Sequence, residues 1–183
     1  MSTTLLEKSD GANANRGEVE RQVVALHLGD EIYGVDIACI HTVLTPQPIT
    51  VVPNVPAYVR GVMNLRGRIL PVLDLRTRFG LPPRASEKQK SARIVIVEAA
   101  GLTAGLIVDS VSEVLRLPAS AVEPPSALLA SADLRCLVGI GRVPGERKQG
   151  GEEGSERLIL LLDIPETLAL AASDTPDHSQ VNS

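Results

Sequence analysis

The sequence predicts an all-β fold with short helices, arranged as two small five-stranded barrels packed on a shared hydrophobic core. Three observations carry this expectation. Val/Ile/Leu runs of four to eight residues, punctuated by Gly, Pro and Asp, recur along the chain with the length and β-branched content of strands. Thirteen prolines in 183 residues oppose long helices. The pattern also repeats: Gln22–Pro53 lies on Arg93–Pro124 at a constant offset of 71 residues, without a gap.

In chain order the expected strands are Val23–Leu28, Ile32–Ile37, Ile40–Leu44, Val59–Leu65, Ile69–Leu73, Ile94–Val97, Leu102–Val108, Val111–Leu115, Leu137–Val143 and Leu158–Leu162. Short helices are expected at Leu75–Phe79 and after Asp163, where Pro165 and Glu166 occupy the first turn; Asp74 and Asp163 read as the N-caps. Within the repeat Gly34 meets Gly105, and Ile40, Val43 and Leu44 meet Val111, Val114 and Leu115. Gly61, Val62, Leu65 and Gly67 meet Gly139, Ile140, Val143 and Gly145 at an offset of 78, while Leu73 and Asp74 meet Leu162 and Asp163 at 89. The last step places an insertion at Glu146–Glu156, a stretch rich in Gly, Glu and Lys that is expected to be a solvated hairpin loop. Five short strands per copy escape exposed edges by rolling into a barrel, and a barrel so small gains stability by sharing apolar surface with its twin. The expected division is a loose tail at 1–20, a domain at 21–172 with barrels at about 21–85 and 92–164 and a helix at about 164–172, then a loose tail at 173–183.

Composition excludes several functions. The rings number three, Tyr33, Tyr58 and Phe79, too few for single-strand stacking platforms, proline-recognition grooves or aromatic cages. Cys39 and Cys136 stand far apart with no metal-type spacing, which fits inert thiols in a reducing compartment. The first twenty residues carry four acidic side chains, and no run reaches the roughly 18 apolar residues that suggest a membrane span, so a soluble cytoplasmic protein is expected.

Catalysis finds little to work with. His27, His41 and His178 lie near no nucleophile elbow, and no paired carboxylates occupy an apolar pattern. Cys39 and His41 are two apart, the spacing of one strand face; a metalloenzyme built on them is the weakest reading, and a buried thiol beside a surface imidazole the stronger one. Charge is polarised. Ala57–Arg93 carries nine Lys and Arg against Asp74 and Glu87 in a chain of net charge -4, a patch suited to steering an acidic partner. The runner-up function is therefore a small basic-patch nucleic-acid-binding double barrel, disfavoured by the acidic total and the missing rings. The most specific local feature is Gly61–Arg76: two apolar strands joined at a tight turn where Gly67 takes positive φ and Arg66 is displayed for bidentate recognition of carboxylates or carbonyls.

These residues resemble the CheW family of chemotaxis coupling proteins. The resemblance runs from about Arg21 to Ala172, through Gly29–Ile37 (GDEIYGVDI), the Asn64–Leu65–Arg66–Gly67 turn, Pro71–Arg76 (PVLDLR) and Val108–Leu115 (VDSVSEVL). It implies two SH3-like five-stranded barrels, no enzymatic activity and no cofactor or metal. It also implies a cytoplasmic adaptor on membrane-bound receptor arrays, itself uninserted, bridging the chemoreceptor hairpin tip to the regulatory domain of a CheA-type histidine kinase. Position by position, the receptor-facing set implied is Ile40, Thr42, Val43, Asn64 and Arg66, with Thr42 standing where the family commonly carries an acidic residue. Kinase-facing residues are left unassigned. The 146–156 insertion and the scarcity of rings point to a divergent member serving surface motility, biofilm or development instead of swimming.

Overall fold

Alternation along each strand decides which core a side chain enters. The computed structural model describes residues 19–126, 135–145 and 154–174. Its strands are β1 (Glu20–Leu28), β2 (Glu31–Asp36), β3 (Ile40–Leu44), β4 (Val59–Leu65), β5 (Arg68–Asp74), β6 (Arg93–Ala99), β7 (Leu102–Val108), β8 (Ser110–Pro118), β9 (Val122–Glu123), β10 (Leu137–Val143) and β11 (Arg157–Leu162). The helices are α1 (Leu75–Arg78) and α2 (Ile164–Asp174). On β1, Val23 and Ala25 enter one cluster with Leu117, Ile159 and Leu161, whereas Val24, Leu26 and Leu28 enter another with Val95, Val97 and Leu106. β6 divides likewise: Ile94 and Ile96 join Met63, Leu70 and Val72, while Val95 and Val97 join the shared cluster. Each curled sheet thus has its own interior, and a third cluster cements the two.

The partition into sheets differs from the expected one. One sheet runs β3-β6-β7-β5-β4 and the other β8-β1-β2-β11-β10-β9. Barrels of consecutive strands at 21–85 and 92–164 therefore do not form; each barrel takes its first hairpin from one copy of the repeat and its remaining strands from the other. The cause is the connection after β2. A three-residue 3-10 turn at Ile37–Cys39, held by the Asp36 Oδ1 that accepts from the Ala38 amide at 2.9 Å, swings the chain away from β2, and β3 pairs with β6. The matching step sends β8 to β1. Parallel pairs, β2 with β11 and β5 with β7, complete the exchange.

The repeat itself is visible in the register. Ile40, Val43 and Leu44 oppose Val97, Val95 and Ile94; their counterparts Val111, Val114 and Leu115 oppose Leu26, Val24 and Val23. A bulge follows Val59 against β5 and another follows Leu137 against β11, at equivalent positions. At the first of these Gly61 has φ 140, and a Cβ there would stand 2.0 Å from the Thr50 carbonyl oxygen. Only glycine lets the 45–55 crossing approach β4 and exchange the Thr50 and Val62 amide–carbonyl bonds at 2.8 and 2.9 Å.

Both expected N-caps form: Asp74 Oδ1 accepts from the Arg76 amide at 3.0 Å, and Asp163 Oδ1 from the Glu166 amide at 2.9 Å. The final helix is longer than expected, ending at Asp174, whose carboxylate accepts from the Tyr58 hydroxyl at 2.7 Å. The expected loose tails lie outside the described residues, except that Glu20 begins β1 and Ser173 and Asp174 close α2. The expected loop at 146–156 also lies outside them, apart from 154–156. β9 was not expected, since two residues ahead of Pro124 and Pro125 are too short to show alternation.

Candidate functional site

β4 and β5 are joined by the two-residue turn Arg66–Gly67, with φ 50 and 82. Two positive φ values in succession give the mirror-image turn whose twist suits a hairpin. The Asn64 Oδ1 accepts from the Gly67 amide at 2.9 Å and locks it. Arg66 is exposed at the tip.

β3 is an edge strand, paired only with β6. A bulge between Ile40 and Thr42 breaks its alternation, so Thr42 lies over Ile96 and Leu44 over Ile94, on the barrel-interior side. Ile40 and Val43 lie over Val97 and Val95, on the opposite face; Ile40 packs against the shared cluster and Val43 remains exposed. Between β3 and the β4–β5 tip is a groove of about 310 Å³. His41, Thr42, Arg66, Arg68, Glu98 and Thr103 supply its polar lining, with Leu44, Leu65, Leu70 and Ile96 as its floor.

The expected residue set therefore divides. Thr42 and Arg66 meet in this groove, Asn64 holds the turn that presents Arg66, and Ile40 and Val43 occupy the other side of the edge strand. Arg68, Glu98 and His41 belong to the groove and were not expected there. Glu98 comes from the second repeat copy, and only the β3–β6 exchange brings it near Thr42.

The basic segment also divides. Asp109 is buried and accepts from the Gly29 amide at 2.8 Å, from Arg84 Nε at 2.8 Å and from Arg76 Nη1. Burial pushes its carboxyl up, but the Gly29 amide and the Arg84 and Arg76 guanidiniums outweigh that and hold it below the ordinary carboxylate range. Arg78 lies over the Tyr58 ring at 4.7 Å and reaches Asp174 at 3.4 Å. Arg76, Arg78 and Arg84 are thus bound into the fold, and Arg93 is anchored on the Lys90 and Ala92 carbonyls. All three rings are committed too: Tyr33 stacks on Phe79 with centroids 5.2 Å apart, and Tyr58 serves Arg78 and Asp174. A nucleic-acid surface keeps less charge than the sequence suggested and has no free platform among the described residues.

Cys39 and His41 do not share a strand face. Cys39 sits in the 3-10 turn against the shared core, where burial and then the Asp36 and Asp163 charges raise its thiol pKa; His41 lines the groove. Among the described residues no group of three or more His, Cys, Asp or Glu is placed to hold a metal ion, and no helix is long and apolar enough to cross a membrane.

Residues 22–172 match the family model described as the CheW-like domain. The chemotaxis protein CheW of Helicobacter pylori is 31% identical over 163 residues, covering 88% of this chain and 90% of that protein. That of Klebsiella aerogenes is 28% identical over 151 residues, covering 82% and 83%. Among solved structures, the scaffolding protein TtCheW of Thermoanaerobacter tengcongensis superposes with a TM-score of 0.65 at 35% identity, covering 80% of this chain and 90% of that one.

Proposed function

The chain belongs to the CheW-like family, whose members are non-enzymatic scaffold proteins of chemotaxis signalling, and from that premise we propose that it couples chemoreceptors to a CheA-type histidine kinase. The receptor's cytoplasmic hairpin tip docks at the groove between β3 and the β4–β5 turn; the kinase regulatory domain docks on barrel ends. The observation that carries this reading is the display of Arg66. A guanidinium at the apex of a locked two-residue turn, beside an apolar-floored groove on an edge strand, suits an amphipathic helical hairpin with acceptors at its tip. An adaptor transmits signal only if it binds the two kinase states unequally, and each weak interface gains strength through array multivalency.

The deciding experiment is reconstitution of the full chain with receptor signalling fragments on vesicles and the kinase. Kinase co-sedimentation and autophosphorylation are expected to rise only when all three are present. Kinase activity indifferent to the adaptor ends this reading. The departures at Thr42 and at the 146–156 insertion support an output other than swimming, so a deletion strain is expected to spread normally in soft agar while losing surface-associated behaviour. Loss of soft-agar chemotaxis would overturn that assignment.

A further inference from the structure

The β3–β7 barrel has two mouths. One holds the groove beside Arg66; the other lies where β4 and β6 begin and β5 and β7 end, and between them Met63, Leu70, Val72, Ile94 and Ile96 fill the interior. The second mouth opens into a cavity of about 500 Å³. Arg60, Arg76, Arg84 and Arg93 line it with one carboxylate, Asp74, and Ile49 and Pro83 contribute apolar wall. That volume falls in the range of sites that enclose small ligands.

What matters is how much of this positive charge the fold already neutralises. Arg76 is fully engaged: Nη1 donates to Asp109, while Nε and Nη2 donate to the Pro82 carbonyl at 2.9 and 2.6 Å. Arg84 gives Nε and Nη2 to Asp109 at 2.8 and 2.7 Å and keeps Nη1 without a partner among the described residues. Arg93 anchors Nη1 on the Lys90 and Ala92 carbonyls at 3.3 and 2.7 Å and keeps Nε and Nη2 without a partner among the described residues. Among the described residues Arg60 approaches only Asp74, at 3.9 Å across the mouth. Among the described residues, four guanidiniums therefore face two carboxylates, Asp74 on the wall and Asp109 behind it. Two of the cations with spare donors, Arg84 and Arg93, are held in place by carbonyls or a buried carboxylate before any ligand arrives. Such preorganisation reduces the ordering cost of binding, and planar forks match carboxylate and phosphate oxygens.

We propose that this mouth is a binding site for a small multivalent anion, carboxylate or phosphate in chemistry, that bridges Arg60 and Arg93 with its body against Ile49 and Pro83. The site is separate from the receptor groove and does not depend on the coupling role. It gives a role to Arg60 and to the Arg84 and Arg93 donors that the fold leaves spare among the described residues.

Calorimetric titration of the full chain at low ionic strength, with citrate and inorganic pyrophosphate as separate arms, tests it. At least one arm is expected to saturate at one ligand per chain, and the stronger arm assigns carboxylate or phosphate chemistry. Arg60→Gln and Arg93→Gln are each expected to weaken that binding by roughly tenfold or more, the scale of one charge-assisted pair. Arg116→Gln removes the same charge from an exposed site on β8 of the other barrel and is expected to leave it unchanged. Arg60 is the safer variant because its side chain is 57% exposed; if Arg93→Gln fails to fold, Arg60→Gln decides alone. No saturable binding of either anion, equal loss with Arg116→Gln, or binding of a Glu-rich peptide with neither small anion bound would each overturn the assignment.

Discussion

Asp109→Asn is expected to lower stability by about 3–5 kcal/mol, the usual consequence of removing one partner from a buried ion pair. The two guanidiniums and one amide that converge on Asp109 come from three separate places in the chain, Gly29, Arg76 and Arg84. An Asn side chain keeps the shape but puts an NH2 against donors on one side, and it leaves Arg76 and Arg84 desolvated without a counter-charge. For a chain of this size the drop in Tm is on the order of 10 °C. Arg142→Ala, which removes an exposed pair with Glu123, is expected to cost about 0–1 kcal/mol and serves as the contrast. The wild type also carries an acid signature. Since the folded carboxyl of Asp109 sits below its unfolded value, its contribution is present above about pH 4 and is lost as pH falls through the depressed folded value. Chemical denaturation of both variants between pH 3 and 7 checks this. If Asp109→Asn and Arg142→Ala shift the midpoint equally, or the Asn variant keeps the full acid limb, the network is not what holds the 80–92 connection to the barrel.

Strand positions were legible because each run carries its own alternation and its own punctuation. Ile40–Leu44, Val59–Leu65, Leu102–Val108 and Leu137–Val143 form with the expected bounds. Pairing was not legible, because alternation says which side a residue faces and nothing about which strand lies next to it. The exchange of β3 follows a three-residue 3-10 turn whose sequence trace is Asp36 followed two residues later by a small residue, while β8 leaves β7 across Asp109 alone. The same gap hid part of the candidate site: Arg66 and Thr42 come from one repeat copy and could be proposed together, whereas Glu98 and Thr103 reach the groove only through that exchange. Asp109 illustrates a signal that was available. At the offset of 71 its counterpart is Ala38, so a repeat position that is apolar in one copy became a carboxylate in the other, and its ligands are arginines read from sequence as part of a patch that steers an acidic partner. Departures between copies mark where one copy has acquired a task of its own.

Arg66→Asn is expected to separate folding from coupling. Arginine at φ 50 holds a backbone conformation that Asn adopts more readily, and Asn-Gly is the preferred pair for this turn. Nothing in the fold requires the guanidinium, which is exposed and donates to no group among the described residues. The substitution should therefore raise stability by about 1 kcal/mol through relief of left-handed strain. A residue kept where a cheaper one fits better is usually kept for what it touches. If the groove receives the receptor as proposed, an arginine displayed there is a typical anchor, so the same variant is expected to weaken receptor binding by at least about 2 kcal/mol, roughly 30-fold. Arg66→Glu should lose more by placing a carboxylate where acceptors approach. Reconstitution with receptor vesicles and kinase, read beside thermal melts, gives both halves. A variant that melts higher and no longer co-sediments identifies the turn as a display device; one that melts lower, or one that melts higher and still activates the kinase at wild-type adaptor concentration, removes Arg66 from the receptor site and leaves its strained backbone without an explanation.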